Sequence, residues 1–218
     1  MRLRAIIAVD GPAGAGKSTV AKALARRLGY RFLDTGALYR TVTLAALRAG
    51  VDPADGDAVA EVAARAEIEL RWDGDSARVF LAGAEVSEEI RGPDVTTAVS
   101  TVAAHPRVRE RMVPLQQDFA REGGVVAEGR DIGTVVFPDA EWKFFLDADP
   151  TVRAARRAAE RGEADVGRVA AELGERDRRD TDRPVSPLRP APDSERVDTT
   201  HLSLDEVVDL LARRVGDA

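Results

Sequence analysis

Short apolar runs that alternate with helical patterns predict the main elements of this chain. The first run, residues 4–9 (RAIIAV), is typical of a strand that is buried on both faces of a parallel sheet. Later runs predict further strands, the last of them weakly, over residues 30–33, 125–127, 142–146 and 196–198. Because strands and helices alternate, the pattern favours an α/β fold with a five-stranded parallel sheet flanked by helices.

Apolar positions at helical spacing predict helices over residues 17–28, 37–49, 57–66, 107–122 and 203–215. Gly29 is placed to end the first helix. Pro114 is expected to kink or divide the fourth helix before Gly123 and Gly124 end it. Ser203 opens the last helix with a capping-box sequence, SLDE.

The pattern changes to a period of two in the middle of the chain. Over residues 67–72 apolar and charged residues alternate, which predicts a half-exposed strand. The pair 73–74 (DG) predicts a hairpin turn, residues 78–81 form the returning strand, and Gly83 permits another reversal. We therefore expect a small antiparallel insert in the otherwise parallel fold.

Composition and charge narrow the classes of function. The length of 218 residues fits one domain with one sizeable core. The formal net charge of -6 argues against a surface that holds nucleic acid nonspecifically. The absence of cysteine excludes disulfides, thiolate metal sites and a cysteine nucleophile. The apolar run of residues 5–9 is too short for a signal-peptide core or a membrane span, so the sequence predicts a cytoplasmic protein without a membrane partner.

Arginine supplies nearly all of the positive charge. Lysine occurs only at positions 17, 22 and 143, among 32 basic residues. The planar guanidinium group suits phosphate and carboxylate better than a point charge does. Residues 154–183 are rich in charge and poor in large apolar side chains, so we expect this segment to pack weakly and to move as a lid.

The clearest chemical signal is a glycine-rich loop. Residues 11–18 (GPAGAGKS) match the G-x-x-x-x-G-K-[ST] pattern, between a predicted strand and a predicted helix. Lys17 is predicted to reach the β- and γ-phosphates of ATP, and the Ser18 hydroxyl to ligate Mg²⁺. A glycine-rich turn without a ligand is the alternative interpretation. The predicted ATP-binding residues of the loop are Gly11, Pro12, Ala13, Gly14, Ala15, Gly16, Lys17, Ser18 and Thr19.

This loop fixes the nucleotide but leaves the activity open, because switch GTPases, transport ATPases and small-molecule kinases share it. The D-x-x-G and N-K-x-D strings of GTPases do not occur in the sequence, and neither does the L-S-G-G-Q string of transporters. The pattern therefore favours a kinase, which must hold an acceptor in line with the γ-phosphate.

Two predicted strand ends carry candidates for holding that acceptor. After the second strand, Thr35 is a plausible helix cap and Arg40 follows just over one turn later; a capped helix with a surface arginine is the alternative. After the strand at 125–127 come Arg130 and Asp131, at the edge of the sheet where open α/β folds bind ligands. These two could instead simply neutralise each other at the surface.

A third candidate is one face of a predicted helix. Arg176, Arg179, Asp180 and Arg183 fall at i, i+3, i+4 and i+7, and Pro184 closes the helix. A solvated, salt-bridged stripe would have the same pattern.

Several spaced motifs together resemble the bacterial cytidylate kinases over nearly the whole chain. Their positions are residues 11–19 (GPAGAGKST), 33–40 (LDTGALYR), 100–109 (STVAAHPRVR), 128–140 (EGRDIGTVVFPDA) and 175–188 (ERDRRDTDRPVSPL). The antiparallel insert resembles the enlarged nucleotide-binding lobe of that family. Thr35 stands where many relatives carry serine and Glu128 where some carry aspartate, and both substitutions keep the functional group.

The resemblance implies a role for each matching residue. Arg40 and Arg130 would hold the acceptor phosphate and, with Lys17 and Arg157, form the catalytic set. Four arginines, Arg153, Arg156, Arg157 and Arg161, resemble the lid that closes over ATP and covers the transferring phosphoryl group, and any one of them could contact that group. Of these, Arg153, Arg156 and Arg157 would bind ATP. The cytosine would be surrounded by Thr35, Arg109, Asp131 and Arg183, and the sugar would meet Ser100, Arg176 and Asp180.

The resemblance also implies the reaction, which is transfer of the γ-phosphoryl group of ATP to CMP or dCMP with Mg²⁺ and without a general base. It divides the domain into a core (residues 1–36, 96–150 and 184–218), a monophosphate-binding lobe (37–95) and a lid with the acceptor-binding helix (151–183). A monomer is the default expectation. The alternatives are an adenylate- or shikimate-type P-loop kinase and a noncatalytic nucleotide-binding module.

Overall fold

The computed structural model describes residues 4–74 and 76–216. The strands are β1 Arg4–Asp10, β2 Arg31–Asp34, β3 Ile68–Asp73, β4 Ser76–Leu81, β5 Ala84–Glu85, β6 Gly123–Gly129, β7 Trp142–Asp147 and β8 Glu195–Asp198. The α-helices are α1 Lys17–Leu28, α2 Thr35–Arg48, α3 Gly56–Arg65, α4 Pro93–Ala104, α5 Pro106–Phe119, α6 Pro150–Arg161, α7 Val166–Asp182 and α8 Leu204–Val215. A 3₁₀ turn covers Glu89–Arg91 and a short π-helix covers Ile132–Val136.

The larger sheet has the order β2-β6-β1-β7-β8, and every neighbouring pair is parallel. This confirms the predicted α/β fold with five parallel strands. Strand β1 is central, so its side chains pack on both faces of the sheet. Ile7 and Val9 belong to a cluster with α1 and α8, whereas Ala8 belongs to a cluster with β6 and the π-helix.

A second hydrophobic cluster joins α2, α3, α4 and α5 beside the β2 edge of the sheet. Its fully buried members include Leu38, Val59, Val102 and Met112. The cluster gives the acceptor side of the molecule its own support, so residues on α2, α4 and α5 are held in fixed positions relative to one another.

The smaller sheet, β3-β4-β5, is antiparallel, as the alternating pattern predicts. Asp73 pairs with Ser76, so the predicted 73–74 turn lies at the hairpin, although residue 75 is outside the described residues. Ala82 and Gly83 both have positive φ, 49° and 79°, which matches a tight two-residue reversal between β4 and β5.

Several predicted boundaries were wrong. Helix α5 is one continuous element through Pro114 and ends at Phe119, and the glycines at 123 and 124 begin β6 rather than end the helix. The sequence reading also missed α4, a helix of 12 residues. Within residues 4–74 and 76–216, no helix is long and apolar enough to span a membrane.

The capping-box prediction for α8 is confirmed. The Ser203 hydroxyl accepts a hydrogen bond from the Glu206 amide, and the Glu206 carboxylate accepts one from the Ser203 amide. Gly29 ends α1 with a positive φ of 64°, also as predicted.

Candidate active site

A cleft of about 380 Å³ opens at the carboxyl ends of β1, β2 and β6. Ligands of open α/β sheets bind at this edge. The cleft is lined by the glycine-rich loop on one side and by residues of α2, α4, α5 and α7 on the other. All nine residues that the sequence reading assigns to the acceptor line it: Thr35, Arg40, Ser100, Arg109, Arg130, Asp131, Arg176, Asp180 and Arg183.

The conformation of the glycine-rich loop requires its glycines. Gly11 has a φ of 146°, and a Cβ there would lie 2.0 Å from the Leu146 carbonyl oxygen. Gly14 has a φ of 77°, and its Cβ would lie 2.8 Å from the Arg153 carbonyl oxygen. Gly16 precedes α1 with a φ of 84°. These positions let the backbone wrap around an anion at the start of α1.

Lys17 and Ser18 lie at the first turn of α1 and face the cleft. The Lys17 ammonium donates to the Pro12 carbonyl at 2.7 Å. Burial, and next the nearby Arg130 guanidinium, lower the pKa of Lys17 to about 7. A bound phosphate would favour the charged ammonium and would therefore raise this pKa again.

The Ser18 hydroxyl donates to the Glu128 carboxylate at 2.6 Å. Glu128 is buried at the end of β6, and burial followed by the charge of Asp34 raises its pKa. A hydroxyl and a carboxylate beside a phosphate cradle are the oxygen ligands, direct or through water, that Mg²⁺ prefers. The described residues contain no group of three or more His, Asp or Glu side chains that could hold a metal.

The wall opposite the loop carries a cluster of arginines. Arg130 follows β6, and its Nε donates to Asp180 of α7 at 2.8 Å. Arg40 of α2 donates from Nη1 to the Ile90 carbonyl at 3.1 Å and to the Thr96 hydroxyl at 2.8 Å. Each guanidinium group is thus fixed from one side, which leaves its remaining donors for a ligand.

Arg176 of α7 completes this cluster. Burial, and next the charge of Arg130, lower its pKa to about 10. Its buried Nε has no hydrogen-bond partner in the described structure. For Asp180, burial opposes ionisation, but Arg130 and Arg176 together lower its pKa. Positive charge is in excess here, which is the condition for binding a phosphate.

A second charged group closes the far end of the cleft. Arg109 of α5 forms a buried ion pair with Asp131, and Arg183 approaches the other oxygen of the same carboxylate at 3.7 Å. Tyr39 lies below this group, with the guanidinium carbon of Arg109 5.2 Å from its ring centroid. Arg109 Nε and Arg183 Nη2 have no hydrogen-bond partner among residues 4–74 and 76–216.

Two details of the acceptor prediction were wrong. Asp34, not Thr35, caps α2, because its carboxylate accepts from the Ala37 amide at 2.9 Å. Thr35 is the first helical residue, and its hydroxyl donates to the Glu128 carbonyl at 2.7 Å. The predicted stripe on α7 is also broken: Arg179 is exposed and pairs with Glu175, and Arg183 follows the end of the helix in an extended conformation.

The lid arginines differ in position. Arg157 lines the cleft and pairs with Glu160 at 2.8 Å. Arg153 pairs with Asp177 and donates to the Ala13 carbonyl at 3.0 Å, and Arg156 donates to the hydroxyl and carbonyl of Thr199. Arg153 and Arg156 are thus engaged in internal hydrogen bonds, and their contact with ATP stays a prediction.

The sequence reading missed several residues that shape the site. Among the lining residues these are Asp34, Tyr39, Arg91, Thr96, Glu128 and Glu160. Glu128 and Asp34 could have been found from their place at the ends of β6 and β2, the same signal that identified Arg130. From the sequence, Tyr39 cannot be distinguished from an aromatic residue of the hydrophobic core, because only the packing of α2 on α5 places it at the cleft.

A strand that leads into a glycine-rich loop and a helix, with an arginine-lined cleft at the same sheet edge, is the arrangement of a P-loop phosphotransferase. The family model described as Cytidylate kinase matches residues 7–216 of this chain. The cytidylate kinase of Pelotomaculum thermopropionicum is 52% identical over 215 residues, which cover 96% of this chain and 95% of the relative. That of Mycobacterium avium is 52% identical over 211 residues, 94% of this chain and 92% of the relative. The chain belongs to the cytidylate kinase family.

Solved structures of more distant proteins share the fold. An uncharacterised protein from Eubacterium ventriosum has a TM-score of 0.54 and 13% identity, with 99% of this chain and 100% of that chain aligned. A gluconokinase from Sinorhizobium meliloti has a TM-score of 0.50 and 16% identity, with 100% and 97% covered. At these identities the likeness supports the architecture alone.

Proposed function

We propose that this enzyme transfers the γ-phosphoryl group of ATP to CMP or dCMP and releases ADP with CDP or dCDP. The observation that carries the proposal is a cleft that is lined both by the phosphate cradle around Lys17 and by the half-buried arginines Arg40, Arg130 and Arg176. Membership of the cytidylate kinase family supports the choice of acceptor. Two sets of phosphate-binding groups in one cleft support this proposal, because transfer between phosphates requires donor and acceptor to be held close together.

The acceptor phosphate would be held by Arg40 and Arg130. A dianion can receive two parallel hydrogen bonds from a guanidinium fork. Both side chains line the cleft and keep further N–H donors after their internal contacts with Ile90, Thr96, Gly129 and Asp180 are counted. The sugar would meet Ser100, Arg176 and Asp180, which line the same wall.

Cytosine would be read at the far end of the cleft. Its N4 amino group donates hydrogen bonds, and its N3 and O2 accept them. Asp131 and the Thr35 hydroxyl oxygen can accept from N4, and the unpaired donors of Arg109 and Arg183 can serve N3 and O2. Uracil presents the opposite polarity at N3 and at position 4, so it would leave buried polar groups without partners.

No general base is needed, because the attacking atom is an oxygen of the acceptor phosphate. The second pKa of that phosphate group is about 6, so the group is mostly ionised at pH 7. The attacking oxygen forms a bond to the γ-phosphorus while the bond between the γ-phosphorus and the β,γ-bridging oxygen breaks, and the bridging oxygen leaves on the β-phosphate of ADP. Lys17, Arg130 and Arg157 neutralise the charge on the transferring group. When bound with ATP at Ser18, Mg²⁺ neutralises phosphate charge. Closure of the lid, residues 151–183, would keep water out while the lobe at 37–95 and the core hold the substrates.

A coupled ADP-release assay with ATP and Mg²⁺ tests the proposal directly. CMP, dCMP, UMP, AMP and shikimate are compared as acceptors under identical conditions. Strong turnover confined to CMP and dCMP is the expected result. Turnover only with AMP or shikimate would refute the assigned acceptor, and no turnover with any of the five would refute the activity itself.

We also infer that the enzyme works as a monomer in the cytoplasm, with no nucleic-acid or membrane partner. Every side chain of the proposed mechanism comes from one chain, and the formal net charge of -6 disfavours polyanion binding. Light scattering coupled to size exclusion at assay concentration tests the oligomeric state, and a mass near twice that of the chain would refute the monomer.

A further inference from the structure

A buried carboxylate lies where the phosphate cradle meets the base-reading loop. Asp10 is the last residue of β1, directly before Gly11, and is 4% exposed. Its Oδ1 accepts a hydrogen bond from the Ile132 amide and its Oδ2 accepts one from the Gly133 amide, both at 2.8 Å. These amides follow directly after Asp131. Asp10 is not among the cleft-lining residues of the described structure, so it has no place in the mechanism above.

The two amides belong to the first turn of the π-helix Ile132–Val136. The first N–H groups of a helix lack partners within the helix, and short π segments are uncommon and concentrate at functional sites. The turn is closed by bonds from the Val135 and Val136 amides to the Asp131 carbonyl, at 2.9 and 3.2 Å. Asp10 therefore holds the backbone in place directly after Asp131, the residue whose side chain enters the cleft.

The space around Gly133 is narrow. A Cβ at this position would lie 3.1 Å from Lys143 Cδ, so the lysine side chain would have to move by a few tenths of an ångström, and it would lie in ordinary contact with Asp10 Oδ2 at 3.5 Å. On its other side the Asp131 carboxylate is bound by Arg109 and approached by Arg183. The orientation of Asp131 thus depends on two arginines at the side chain and on Asp10 at the backbone.

Burying a carboxylate costs desolvation free energy, which a contact that served only to stabilise the fold would not require. Burial raises the pKa of Asp10 to about 6, against the opposing effect of the two backbone hydrogen bonds. An asparagine would offer one acceptor oxygen and would present an NH₂ group to the second N–H. Only a carboxylate satisfies both amides in this geometry.

We propose that Asp10 is a positioning residue, which holds the loop of Asp131 against the end of β1 and so sets the discrimination between cytosine and uracil acceptors. This inference rests on the proposed function. It connects the strand that supports the ATP site with the residue that reads the base, through two hydrogen bonds and no contact with substrate.

A double-mutant cycle with Asp10→Asn and Asp131→Asn tests it. In Asp10→Asn we expect the ratio of kcat/KM for CMP to that for UMP to fall at least about tenfold, through a higher KM for CMP, with the KM for ATP changed less than about threefold. In the Asp131→Asn background, Asp10→Asn should change the ratio by less than about twofold, since its effect passes through Asp131. Additive effects, or an unchanged ratio in the single variant, would overturn the proposal.

Ser203→Ala is the matched control, because it removes a helix cap on α8 and lies outside the cleft. It should lower the thermal midpoint without changing the CMP to UMP ratio. A similar loss of discrimination in this control would show that instability alone causes the effect and would overturn the role of Asp10. Asp10→Ser, a smaller polar residue that also cannot bind both amides, replaces the asparagine variant if that variant does not fold.

Amide hydrogen exchange provides a readout that does not depend on activity. In the wild-type protein the Ile132 and Gly133 amides should exchange slowly, and Asp10→Asn should accelerate them more than amides of β7. Exchange at the rate of exposed loop amides in the wild type would overturn the proposal. Absence of wild-type turnover with CMP would instead refute the proposed function, and the specificity role with it.

Discussion

Replacing Arg130 by alanine gives the most direct test of the phosphate subsite. Its guanidinium group lies in the cleft, is held by Asp180 through a 2.8 Å hydrogen bond, and faces the loop that contains Lys17. Arginines on a transferring phosphoryl group contribute roughly 10³ to 10⁵ in rate, which corresponds to about 4–7 kcal/mol of transition-state stabilisation. We expect Arg130→Ala to lower kcat/KM for CMP by a factor within this range.

The same substitution also removes the closest partner of a buried carboxylate. The Asp180 side chain is 6% exposed. Leaving one member of a buried ion pair unpaired costs about 3–5 kcal/mol of folding free energy, and we expect less here because Arg176 remains close. A lower thermal midpoint must therefore be separated from the catalytic loss.

Two further variants make this separation. Arg130→Lys keeps the charge and loses the planar fork, so its activity should lie between those of the wild type and the alanine variant. Arg130→Ala/Asp180→Ala removes the whole ion pair and should recover part of the stability but none of the activity. The assay is coupled ADP release with calorimetry on the same samples. If Arg130→Ala keeps kcat/KM within about tenfold of wild type, the arginine does not bind the transferring phosphate.

The other predictions concern the base, the lysine and the last helix. Asp131→Asn should reduce the preference for CMP over UMP, since an amide can no longer act only as an acceptor for N4; an unchanged ratio of kcat/KM would remove Asp131 from the base site. Because the pKa of Lys17 is about 7 in the free protein and phosphates raise it, ATP binding at pH 8 should take up about 0.9 of a proton, and ATP affinity should fall as the pH rises above 7. Titration calorimetry in two buffers of different ionisation enthalpy measures this uptake, and a binding enthalpy independent of the buffer would contradict it. Ser203→Ala should destabilise the fold by about 1 kcal/mol and lower the thermal midpoint by roughly 2–4 °C in a scanning calorimeter, with kcat unchanged.

Local patterns predicted the sheet, the insert and most helices because their signals lie close together in the sequence. The loop at 11–18 needs only its own glycines, and α8 only its own capping box. Helix α4 gave no such signal: its sequence is rich in valine and threonine, which have low helix propensity, and it forms because Val95, Val99 and Val102 are buried against neighbouring helices.

Those residues of the candidate site that lie at strand ends or in sequence motifs could be predicted from the sequence. The wrong stripe on α7 shows the limit, because helical spacing cannot tell that Arg179 pairs outward with Glu175 while Arg183 leaves the helix. The contacts of Asp10 could not be predicted from the sequence either. Its partners are more than 120 positions away along the chain, so only the pairing of β1 with β6 brings them together.

Lys17 and the cleft arginines are electrostatically coupled. Burial is the largest cause of the lowered pKa of Lys17, and the next is Arg130, which we propose holds the acceptor phosphate; Arg176 acts in the same direction. Arg176 in turn has its pKa lowered by burial and by Arg130. Because these cations repel one another, a phosphate bound near any one of them would reduce the repulsion among all three. In the proposed mechanism, alignment of two phosphates among fixed positive charges takes the place of a general base, because the acceptor phosphate is already mostly ionised at pH 7.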